Sequence, residues 1–118
     1  MNSEVKYESN ECAASLNAIA DALYVIGGKW KLQVIAALRE GDKRFNEIQR
    51  TVNGISARVL SNELKELELN GFVTRIVHTR TPVMVEYKLT DYAETLSTVL
   101  RSLHEWGRMH RDKIRMER

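Results

Sequence analysis

A mainly helical α+β fold is what this sequence predicts, and three observations carry that expectation. Apolar residues recur at intervals of three and four through most of the chain, which holds a single proline, Pro82. Two strand-like runs rich in β-branched residues stand next to each other between positions 72 and 89. A turn at Asn53-Gly54 separates a short helical pattern from a long one. The 118 residues suffice for one domain, and 43% hydrophobic with 29% charged residues is the balance of a folded chain.

Taken in order, residues 1–11 are polar and read as a flexible N-terminal tail. Leu16, Ile19, Leu23 and Ile26 then step 3, 4, 3, which predicts an amphipathic helix over Ala13–Ile26, broken by Gly27-Gly28. Lys29–Arg39 is a second helix, with Trp30, Val34, Ile35 and Leu38 turned inward. Asn46 is the expected N-cap of a short helix to about Thr51. Ser56 caps the next, which runs to Asn70 and stops at Gly71. Phe72–His78 and Val83–Leu89 form a hairpin around Thr79-Arg80-Thr81-Pro82. Thr90 or Asp91 starts a last helix whose stripe Tyr92, Leu96, Val99, Leu103, Trp106 steps 4, 3, 4, 3. Arg108, Arg111, Lys113 and Arg115 belong to a basic C-terminal tail, residues 108–118.

A short helix, a glycine-containing turn and a long helix have helix-turn-helix spacing, and the hairpin that follows supplies a wing. The predicted architecture is therefore a winged helix-turn-helix with dimerisation helices at its N- and C-terminal ends, the domain proper covering residues 12–107.

Charge is distributed unevenly. Residues 2–28 are acidic through Glu4, Glu8, Glu11 and Asp21, whereas residues 29–60 carry seven basic and three acidic side chains. That asymmetry suits a nucleic-acid face, although a solvated surface produces such clusters too. The long helix sharpens it. Counted at 100° per residue from Arg58, Asn62, Ser61 and Lys65 fall within about 60° of it, and Leu60, Leu64 and Leu67 lie opposite. Arg, Ser, Asn and Lys are side chains that bond base edges and phosphates in a major groove.

Other chemistries find no support in the residues. One cysteine, Cys12, excludes an intrachain disulfide framework and a multi-cysteine zinc site. His78, His104 and His110 lack ligand spacing, and no nucleophile comes with a base at motif spacing, so neither a metal, a cofactor nor an enzyme activity is expected. Gly27-Gly28 lacks the preceding strand and third glycine of a dinucleotide site. No apolar run reaches the ~20 residues of a membrane span, and the start MNSEVKYESNE has no signal-peptide character, so a cytoplasmic protein is expected.

The resemblance to a known family lies in six runs. Ile26-Gly27-Gly28-Lys29-Trp30, Arg44-Phe45-Asn46-Glu47-Ile48, Gly54-Ile55-Ser56-Ala57-Arg58-Val59-Leu60, Leu64-Lys65-Glu66-Leu67-Glu68, Gly71-Phe72-Val73-Thr74-Arg75 and Val85-Glu86-Tyr87-Lys88-Leu89-Thr90 stand in register. Over residues 12–107 the chain resembles the HxlR family of bacterial winged-helix transcription regulators, which are MarR-like. The resemblance implies a homodimer on a pseudo-palindromic operator in double-stranded DNA, usually as a repressor. It also implies a small-molecule or oxidant effector in some relatives, sensed through a cysteine just before the first helix, where Cys12 stands. Two departures are visible: Ala13 replaces a frequent proline, and Met84 a frequent arginine.

On this reading Arg58, Ser61, Asn62 and Lys65 enter the major groove, with Ser56 at the helix start. Lys29, Lys31 and Arg44 hold phosphates, and Arg75 and Arg80 serve the wing. Leu16, Ile19, Leu23, Tyr92, Leu96, Val99, Leu103 and Trp106 form the dimer interface, and Cys12 is the candidate redox sensor. The rival is a winged-helix protein-interaction module that never meets DNA.

Overall fold

The computed structural model describes residues 9–117. Helix α1 (Ser9–Ile26) leads into α2 (Lys31–Leu38), a two-residue strand β1 (Lys43–Arg44) and α3 (Phe45–Thr51). Then come α4 (Ala57–Leu69), the hairpin β2 (Val73–His78) and β3 (Met84–Leu89), a 3₁₀ helix Asp91–Leu96, and α5 (Ser97–Met116). The antiparallel sheet is ordered β1-β3-β2, with Lys43 opposite Tyr87 and Val73 opposite Leu89.

The core sits between α2, α3, α4 and the sheet. Val34, Ile35, Ile48, Leu60 and Leu67 are fully enclosed, and Phe72, Val73, Ala93 and Leu96 close it from the sheet side. Helix α4 ends in a paired C-cap. Gly71, at φ +83°, takes the left-handed conformation that a side chain disfavours. Its N–H bonds to Glu68 O (3.1 Å) while the Phe72 N–H bonds to Leu67 O (2.9 Å). Thr90 Oγ1 donates to Gly71 O at 2.6 Å, tying the base of the wing to that cap.

Several expectations are corrected. Helix α1 includes Ser9, Asn10 and Glu11, which were expected in the tail; residues 1–8 of that tail lie outside the described residues. Cys12 is therefore within the helix rather than before it. Helix α2 is shorter than expected at both ends, Lys31–Leu38. Arg44, not Asn46, stands at the N-cap of α3: its backbone N–H donates to the Glu47 carboxylate at 2.8 Å, one half of a capping box, while its guanidinium has no acceptor to supply the other half. The two-residue β1 was not foreseen. The last helical stretch is divided: Leu96 closes a 3₁₀ segment and is only 8% exposed, so it is a core residue and not part of a dimer stripe. Nor does a separate tail begin at Arg108, since α5 runs to Met116.

Helices α1 and α5 stand out from the core. No residue of α5 is buried, and Leu16, Leu23, Leu103 and Trp106 are half or more exposed. The radius of gyration is 17.5 Å, against about 13.5 Å expected for a compact chain of this length.

Candidate nucleic-acid interface

The surface of α4 is built from its cap inward. Ser56 has extended backbone, and its Oγ accepts the Val59 N–H at 3.2 Å, satisfying a donor that the helix leaves open. Leu60, Leu64 and Leu67 anchor one side in the core. Arg58, Asn62 and Lys65 are consequently exposed together on the other side, while Ser61 is half-buried at its edge. Leu69, on the polar side, is also exposed.

Behind the exposed Arg58–Asn62–Lys65 face stands an ion pair. Lys31 Nζ lies 3.0 Å from Glu63 Oε1 and 3.5 Å from Glu66 Oε1, and the Lys31 and Glu63 side chains are each 12% exposed. Burial disfavours the Lys31 charge, but the hydrogen bond and charge of Glu63, with Glu66 behind, outweigh it and raise the ammonium pKa. Lys31 thus faces α4, which leaves the phosphate role expected for it without an accessible ammonium. Glu63 was missed as a partner, although a signal existed: it falls about 40° from Leu67 on the helix, on the leucine side.

The other cations lie around the periphery. Lys29 is exposed with its Nζ 4.7 Å from the centre of the Trp30 ring, a cation–π contact. Arg44 is exposed beside α3, its Nε 3.5 Å from Glu47. The backbone N–H of Arg44, first, and then its charge hold the Glu47 carboxyl below the usual carboxylate range. Arg75 is exposed on β2 opposite Tyr87, and Arg80 is exposed in the hairpin loop with Nη2 3.0 Å from Met84 Sδ. The wing also carries a diagonal pair, His78 Nε2 to Glu86 Oε1 at 2.7 Å, that spacing did not suggest. Among the described residues no group of His, Cys, Asp and Glu is placed to hold a metal ion, and no helix is long and apolar enough to cross a membrane.

Residues 25–115 match the family model described as HxlR-like helix-turn-helix. The chain belongs to the HxlR-like family. The HTH-type transcriptional regulator YtcD of Bacillus subtilis is 37% identical over 97 residues, 82% of this chain and 77% of the relative. The redox regulator HypR in its reduced form is 39% identical with a TM-score of 0.77, over 84% of this chain and 98% of that one. Reduced YodB from B. subtilis is 38% identical with a TM-score of 0.68, over 75% and 87%. This HxlR-like chain is a winged helix-turn-helix transcriptional regulator, and α3, the Gly54 turn and α4 are its helix-turn-helix.

Proposed function

We propose that the protein acts in the cytoplasm as a homodimeric repressor of a pseudo-palindromic operator, without enzymatic activity. Arg58 and Asn62 read base edges in the major groove, Lys65 and Ser61 support them, and Ser56 lies at the phosphate where the helix enters. Lys29, Arg44 and Arg75 hold the backbone and Arg80 reaches the neighbouring minor groove. The observation that carries this reading is the exposed Arg58–Asn62–Lys65 face opposite three buried leucines. Bidentate Arg–guanine and Asn–adenine contacts are the commonest readers of base identity. The Lys31 ammonium, engaged with Glu63, has no part in it.

The dimer is supported by the exposed apolar side chains of α1 and α5: Leu16, Ile19, Leu23, Val99, Leu103 and Trp106, with Tyr92 stacked on Phe72 at their base. Leaving so much apolar surface in water is unfavourable, and a second copy covers it. Two-fold symmetry then sets the two copies of α4 about 34 Å apart, one DNA turn, or a multiple of it. The test is binding to operator duplex over a salt series. Affinity should fall steeply as salt releases the phosphate contacts; salt-independent or absent binding to any genomic duplex would turn the reading to the protein-interaction module.

A redox response is favoured by one further observation. Cys12 is an exposed free thiol one and two turns before Leu16 and Ile19, on the same side of α1. HypR has been solved in reduced and oxidised forms, and YodB after diamide treatment. Two Cys12 thiols, one from each copy, would lose two protons and two electrons to a diazene oxidant, giving one disulfide and a hydrazine.

A further inference from the structure

A cleft lies where α1 meets the winged domain, on the side of α1 turned away from its exposed leucines. Counted at 100° per residue, Asp21 falls about 140–160° from each of Leu16, Ile19 and Leu23. Helix α1 contributes Asp21 and Val25, and Phe72, Tyr92 and Thr95 face them across a space of about 290 Å³. The buried core residues Ile26 and Leu96 complete the lining. An occupant would touch α1 and the 3₁₀ segment leading into α5 together. Tyr92 alone borders both this cleft and the apolar surface assigned above to a second copy.

The side chains limit what the cleft can hold. Phe72 is buried and Tyr92 stacks on it, ring centroids 5.1 Å apart, with the Tyr92 ring still 59% exposed. An open π face of this kind attracts a cation or another ring. The polar side chains are mostly acceptors. Asp21 is exposed and forms no ion pair among the described residues. Thr95 Oγ1 donates its one hydrogen to the Tyr92 carbonyl at 2.7 Å, so only its lone pairs remain for a ligand. No Lys, Arg or His lines the cleft, and the Tyr92 hydroxyl is the one side-chain donor left. An anion would meet an uncompensated negative charge there, whereas an ammonium finds a counter-charge, a lone pair and a π face. Ordinary small-molecule sites begin at about 300 Å³, so one ring with a short chain is the size that fits.

We propose that this cleft binds a small organic ammonium carrying one aromatic ring, its nitrogen on Asp21 and its ring against Tyr92. The proposal goes beyond operator binding and needs neither Cys12 nor a particular oligomeric state.

The experiment titrates phenethylammonium into the isotope-labelled full-length chain and follows backbone amides by NMR. The amides of Asp21, Val25, Phe72 and Thr95 should shift saturably. Asp21→Asn should weaken binding about fivefold, the upper range for an exposed charge pair. Phenethyl alcohol, similar in shape and uncharged, should bind wild type more weakly by the same factor and be indifferent to Asp21→Asn. Ala22→Leu, which fills the cleft from an exposed position, should abolish the shifts. Phenethyl alcohol or phenylpropionate binding wild type as tightly as the ammonium would reduce the cleft to an unselective apolar patch and overturn the proposal. So would unchanged affinity in Asp21→Asn, binding retained in Ala22→Leu, or no saturable shift at all. Should either variant fail to fold, the ammonium, alcohol and carboxylate compared on wild type still test the charge. Operator binding by the same protein is measured apart, so failure of the cleft and failure of the operator reading are distinguishable.

Discussion

Lys31 Nζ and Glu63 Oε1 lie 3.0 Å apart across 32 residues of sequence, joining the helix before the helix-turn-helix to the back of the reading helix. The pair does two things at once. It holds α4 to α2 through a polar contact with little exposure, and it neutralises a carboxylate on the helix that we propose meets DNA.

Removing Lys31 should leave Glu63 unpaired in a site that excludes most water. We expect Lys31→Met to lower unfolding free energy by about 1–3 kcal/mol, less than a fully buried pair would cost. The Lys31 pKa is raised, so its stabilisation is full below about pH 10.5 and is lost as pH rises through the folded value. Urea midpoints of wild type and Lys31→Met should therefore converge only on the alkaline side; a gap independent of pH would show packing, not charge, at work.

Glu47 behaves with the opposite sign. Its carboxyl is depressed by the Arg44 backbone N–H, so its capping contribution is present above about pH 4.5 and is lost as pH falls through the folded value. Relative to the intrinsic exchange rate at each pH, protection of the Arg44 amide and of the first turn of α3 should fall over that acid range in wild type. In Glu47→Ala that protection should be low at every pH.

Arg58→Ala and Asn62→Ala should each cost about 1–3 kcal/mol of operator binding and relax preference at a single base pair. Mobility shifts on operators substituted one position at a time give the measurement. If both variants keep wild-type affinity and preference, α4 is not in the groove.

Arg80→Ala should weaken binding most where A/T-rich flanks narrow the minor groove, because an inserted arginine reads groove shape. Equal loss on all flanks would make Arg80 a phosphate contact only.

Diamide should lower wild-type operator affinity and produce a chain-to-chain disulfide visible without reductant, and Cys12→Ser should be indifferent to it. Equal responses of the two proteins would remove Cys12 from the sensing step.

Much of this fold is local chemistry and was legible as such. The leucine spacing of Leu60, Leu64 and Leu67 places Arg58 and Asn62 on the opposite face whatever else the chain does, because helical period alone fixes both. Ser56 caps and Gly71 terminates for reasons confined to a few neighbouring atoms. What escaped was non-local or turned on backbone state. Lys31 reads as a free cation until folding sets Glu63 beside it. Strand β1 is two residues long, too short to show alternation, and exists because β3 offers it partners. Leu96 falls on an apolar stripe only if residues 91–96 are α-helical. At about 120° per residue in a 3₁₀ turn it rotates roughly 80° further from Tyr92 and enters the core. Sequence alone determined the main helices, the hairpin and the two-sided polarity of α4, since those depend on neighbours within a turn or two. Only the tertiary structure decided which cations stay free and which apolar residues the single chain can cover, because charge pairing and burial depend on what the whole fold brings within a few ångströms.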